Sequence, residues 1–158
     1  MGQRSCVRMI QGPEINRYIP KHFRIGWWSL LVFLTLGLAL ETMHGFKIGW
    51  YLDVSNESRR LMWTLAHAHG TLFSLIHLGF AATLNSAFVK SGEWYRTPSA
   101  FLTAAIVLLP GGFFLGGFFI NGGDPGIGVM LVPVGAVCLL LAVFMTVCGL
   151  SNERIDGH

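Results

Sequence analysis

The stretch that decides the reading is "LMWTLAHAHGTLFSLIHLGFA", residues 61–81. It is apolar enough to lie in a bilayer, yet it carries His67, His69 and His77. An ionisable side chain in hydrocarbon is costly, so each should be paired, near water or functional. The rest of the chain shares the apolar character. Of 158 residues, 53% are hydrophobic and 12% charged, and the mean hydropathy is +0.56; soluble domains carry about 25% charged residues. Crossing a hydrocarbon core of ~30 Å takes about 20 mostly apolar helical residues. Four stretches qualify, near 27–46, 61–85, 101–120 and 128–149. The expected fold is all-α: a polytopic membrane protein with a four-transmembrane-helix bundle over 27–150, an N-terminal arm (1–26) and a short tail (151–158).

The net charge of +3 is a matter of topology rather than of nucleic-acid binding. Arg4, Arg8, Arg17, Lys21 and Arg24 precede the first span. With four alternating helices, Lys90, Arg96 and Arg154 fall on the same side, against Lys47, Arg59 and Arg60 on the other. The positive-inside rule then puts both termini and the 86–100 connection in the cytoplasm, and the expected location is a bacterial inner membrane. The N-terminal segment offers no apolar core of a signal peptide, so the first span is expected to serve as the insertion signal. Cys138 and Cys148 are ten apart on one expected helix, too far along its axis for a disulfide, and with Cys6 they read as small apolar packing residues.

The arm, with Pro13 and Pro20, reads as irregular, and Tyr18, His22, Trp27 and Trp28 as an interfacial anchor. Residues 46–60 form the next connection, in which Trp50 and Tyr51 suit an interface and Asp53, Ser55 or Asn56 can cap the second helix. In the third helix Gly112 and Gly116 form a small-xxx-small pair that permits close helix approach. The breaker-rich "NGGDPG", residues 121–126, prescribes an antiparallel hairpin into the fourth helix, where Pro133 is expected to make a kink.

At 100° per residue, Arg60, Thr64, His67, Thr71, Ser74, Leu78 and Asn85 lie within ~40° of a common direction. The second helix therefore has one polar stripe. His77 lies ~80° from His67, on its flank, and His69 ~160° away, nearly opposite. "HAH" is thus not a chelating pair on a regular helix. On the first helix Glu41 and His44 are three apart and share a face, the Glu-x-x-His unit of helix-bundle metal sites. Antiparallel packing puts His67 at a comparable depth, with Asp124 in a turn on the same side. Three readings of this cluster stand open: an interhelical polar network, haem or transition-metal ligation with Glu41, His44 and His67 as metal ligands and His69 and His77 as cofactor ligands, or a proton or quinone path. No nucleophile elbow, phosphate loop or zincin motif is present.

The segment "LAHAHGTLFSLIHLGFA" resembles the haem-ligating helix of haem-copper oxidase and nitric oxide reductase catalytic subunits. There a His-Gly pair opens an apolar run, and the resemblance implies a haem-ligand role for His69. In layout the whole chain is similar to a family of small four-helix bacterial membrane proteins without known function. The shared features are a Gly- and His-containing end to the first helix (Gly37 to His44), a His-bearing second helix, a Gly-rich third, and Pro133-Val134-Gly135 in the fourth. That resemblance implies the fold alone. The function expected from so small a chain is that of an accessory or assembly subunit, partnered by the bilayer and by other membrane subunits or copies of itself. The alternative is a haem- or metal-binding redox protein.

Overall fold

The computed structural model describes residues 14–52, 57–86, 89, 93–120 and 122–155. Among them every regular element is helical: α1 (Ile15–Gly45), α2 (Gly49–Leu52), α3 (Glu57–Leu84), α4 (Arg96–Phe118), a 3-10 turn (Ile127–Met130) and α5 (Leu131–Ile155). Three helical segments are long and apolar enough to cross a membrane: Ile15–Gly45, Arg96–Phe118 and Ile127–Asn152. The stretch expected as the second span forms the 28-residue helix α3, but it is not one of the three. Its histidines, Thr64, Thr71 and Ser74 lower its apolarity. The expected caps Asp53, Ser55 and Asn56 lie outside the described residues, as do Cys6 and Lys90.

Helix α1 begins at Ile15, well inside the segment expected to be an irregular arm. Pro20 removes one helix N–H, and burial offsets that loss. Ile15 is 3% exposed and packs with Phe80, Leu84, Tyr95 and Leu102, while His22 is wholly buried. Of the expected interfacial anchor, Trp27 and Trp28 are indeed exposed. His22 is a correction, because it points into the protein. Tyr51 is a second, since it is buried against Leu40 and Trp63.

The long helices form an antiparallel row in which α1 packs along α3, α3 along α4 and α4 along α5. Two seams explain the close spacing. On α1, Gly26 faces Leu78 and Gly37 faces the His67 ring; on α3, Gly70 faces the Phe33 ring, and none of the three leaves room for a Cβ. The middle of the polar stripe of α3, His67 to Leu78, is therefore turned onto α1. Between α4 and α5, Gly112 lies against Gly128 and Val132, and Gly116 against Val129, as the small-residue pair predicts. The turn between them needs positive φ at Gly122 (61°) and Gly123 (92°), a conformation that glycine adopts without steric cost. Pro133 sits in the first turn of α5 rather than in its interior, where a missing N–H costs little.

The outer members of the row are the least covered. In the most apolar part of α1 and of the Ile127–Asn152 segment 17% of residues are buried, against 44% in α4.

Candidate functional site

Two places along the α1–α3 seam gather polar side chains. The first is an open groove of about 950 Å³ where the C-terminal end of α1 meets the N-terminal end of α3, lined by Glu41, His44, Tyr51, Glu57, Arg60, Thr64 and His67. The three expected metal ligands, Glu41, His44 and His67, thus share one cavity. Glu41 and His44 are exposed on α1. His67 is held more firmly: its Nδ1–H donates to the Phe33 carbonyl at 2.7 Å, which leaves Nε2 with a free lone pair. Asp124 is exposed in the α4–α5 turn and does not line the groove. Among the described residues no three His, Cys, Asp or Glu side chains come together as a metal site.

The expected cofactor ligands His69 and His77 lie elsewhere, and apart from each other. His69 donates Nδ1–H to the Leu65 carbonyl one turn back at 2.9 Å, and its ring lies 5.1 Å from that of Phe113 on α4. That is the side opposite His67, as helical geometry requires. His77 is fully buried and belongs to the second place, the junction of α1, α3 and α4.

There His22 Nδ1 and His77 Nδ1 are 2.7 Å apart, His22 Nε2 is 2.8 Å from Ser99 Oγ, and His77 Nε2 is 3.3 Å from the Leu102 carbonyl oxygen. Lys21 Nζ reaches Ser99 Oγ at 3.2 Å. His22, His77 and Ser99 are all 0% exposed. The Phe80 ring stands edge-on to His22 at 4.8 Å and closes the site.

The direction of every bond in this chain follows from its two ends. Leu102 offers only an acceptor, so His77 Nε2 carries the proton and donates. A neutral His77 then has a bare Nδ1, which accepts from His22 Nδ1–H. A neutral His22 has a bare Nε2, which accepts from the Ser99 hydroxyl. Ser99 Oγ keeps a lone pair for the Lys21 ammonium. Two neutral imidazoles thus satisfy all four ring nitrogens in a buried site, where an unmade hydrogen bond would cost about 1–3 kcal/mol.

Between the two places the seam continues with Ser74 Oγ, 2.8 Å from Ser29 Oγ and 2.7 Å from the Gly70 carbonyl. Thr71 Oγ1 is buried without a hydrogen-bond partner. Sequence reasoning found the stripe on α3 but missed His22 and Ser99. The overlooked signal is the spacing His22, Gly26, Ser29, Phe33, Gly37 and Leu40, which marks one face of α1 once the helix is carried back from Trp27 to His22. No family model, curated protein or solved structure matches the chain.

Proposed function

We propose that the protein is a small integral membrane protein with four crossing helices that serves as an accessory or assembly subunit, joined to larger membrane partners or to copies of itself. The observation that carries this reading is the open row. Helices α1 and α5 form its two edges, expose Trp27, Leu31, Leu38, Leu140 and Phe144, and are not a packed pair. A helix that is apolar all round and covered on one side only is suited to a second helical partner. The fourth crossing is α3. It lies antiparallel along α1 and α4, and at 1.5 Å per residue its 28 residues run ~42 Å. The middle of its polar stripe faces α1 while Leu61, Leu72 and Leu75 face outward. Four crossings put both chain ends on the side of Arg17, Lys21, Arg24 and Arg96, which the positive-inside rule assigns to the cytoplasm of a bacterial inner membrane. The test is gentle solubilisation followed by mass determination of the intact particle. Assembly with partners or with further copies is expected; a homogeneous free monomer in native lipid would contradict it.

A second reading is favoured by one observation. His67 donates its Nδ1–H to a backbone carbonyl and presents a bare Nε2 beside a 950 Å³ groove, the arrangement by which ligating histidines are oriented. His67, with Glu41 or His44, would then ligate a transition metal or a haem there. The fit is incomplete: among the described residues no three such ligands converge, so a metal centre with three protein ligands does not fit this arrangement. Oxidised and reduced optical spectra, with metal analysis of the same sample, decide it. A Soret band or stoichiometric metal lost in His67→Ala supports the reading, and a featureless, metal-free sample removes it.

A further inference from the structure

We propose that Lys21, Ser99, His22 and His77 form a proton-exchange relay, through which a proton taken from water by exposed Lys21 reaches the fully buried His77. The proposal stands independently of the subunit reading. It rests on four consecutive contacts, 3.2 Å, 2.8 Å, 2.7 Å and 3.3 Å, linking the surface to the three-helix junction. Every donor in the chain points inward. Lys21 donates to Ser99, Ser99 to His22 Nε2, His22 Nδ1–H to His77 Nδ1, and His77 Nε2–H to the Leu102 carbonyl. One concerted shift therefore moves a proton without moving a heavy atom. The bonds Lys21 Nζ–H, Ser99 Oγ–H and His22 Nδ1–H break. New bonds form at Ser99 Oγ, His22 Nε2 and His77 Nδ1. Lys21 is left neutral, to be reprotonated by water, and His77 holds the charge with both nitrogens protonated.

The surroundings leave this route unobstructed. Toward the chain α1 presents Lys21, whose ammonium lies 5.7 Å from the Tyr18 ring. From α3 the neighbour is the Phe80 ring, and from α4 come Ser99 and the Leu102 carbonyl. Of the nearby charges, Arg96 bridges Glu14 at 3.1 Å and Glu93 at 3.0 Å, and Arg17 and Arg24 line a surface hollow together with Lys21. Lys21 is the charged group bonded to the relay. A purely structural pair needs the Ser99 hydroxyl as donor to His22 Nε2, since backbone carbonyls only accept, but it needs no link to a cation at the surface.

The experiment is ring N–H exchange with solvent, followed on the full-length, 15N-histidine-labelled protein in lipid nanodiscs. Exchange at His22 and His77 should slow by about tenfold or more in Ser99→Ala, although the unpaired His22 Nε2 also lowers the melting temperature, and Ser99→Thr, which keeps the hydroxyl, should restore it. Lys21→Met leaves the buried trio intact and should slow exchange likewise. Equal exchange in wild type and Ser99→Ala would overturn the relay, and slowing in Ser99→Ala without any in Lys21→Met would overturn entry through Lys21. Should Ser99→Ala fail to fold, Lys21→Met alone decides: slowed exchange at unchanged melting temperature supports the relay, and unchanged exchange refutes it.

Discussion

At one end of the α1–α3 seam His22 and His77 are buried, bonded to each other and sealed by Phe80, whereas at the other end Glu41, His44 and His67 line a groove open to the surroundings. The same residue types are used in opposite ways. At the junction each ring nitrogen has a partner, so the site is complete without any ligand. In the groove His67 keeps a bare Nε2, and Glu41 and His44 stand exposed. The difference comes from the third helix. At the junction α4 supplies Ser99 and the Leu102 carbonyl, while α1 and α3 line the long sides of the groove without α4.

The sharpest way to break this comparison is to remove one histidine from each end. His77→Leu leaves His22 Nδ1–H without an acceptor in a buried site, which should cost about 1–3 kcal/mol and lower the melting temperature in detergent by several degrees. His44→Ala removes an exposed side chain and should shift it by less than about 0.5 kcal/mol. Equal losses would mean that the two ends do not differ in the way described. Next in size come the glycines. Gly70→Val meets the Phe33 ring and should destabilise by about 1–3 kcal/mol. Gly45→Ala, with nothing within 4 Å, should be neutral or slightly stabilising. Denaturation followed by circular dichroism measures both. The surface charges beside the junction should show a small, salt-dependent effect. Arg96→Gln removes two exposed ion pairs and should cost at most about 1 kcal/mol, with the cost shrinking as salt is added.

Much of the fold was legible in the residues because membrane helices announce themselves by length and apolarity, and because a stripe follows from 3.6 residues per turn. The opposite placement of His67 and His69, the glycine pair of α4 and the Gly122–Gly123 turn were read correctly for that reason. Helix α3 was the ambiguous element. The histidines that make its stripe also hold it below the apolarity of its neighbours, and only its place between α1 and α4 argues that it crosses. The junction was hidden for a different reason. Pro13 and Pro20 among scattered charges read as an irregular arm, and His22 there as part of an interfacial anchor. The burial of Ile15 and His22 against α3 and α4 keeps the helix going, and that is tertiary information. Ser99 carries no signal of its own in the sequence; its role depends on which residues face it across two helices.

The central claim is that the histidines at the three-helix junction are bonded to each other, with one shared hydrogen between two Nδ1 atoms 2.7 Å apart. The most direct measurement is nuclear magnetic resonance of the 15N-histidine-labelled protein in lipid. The account predicts a nitrogen–nitrogen coupling across that hydrogen bond, with His22 Nδ1 protonated and His77 Nδ1 bare. Two uncoupled rings, each with its Nδ1–H donated to a separate acceptor, would contradict it.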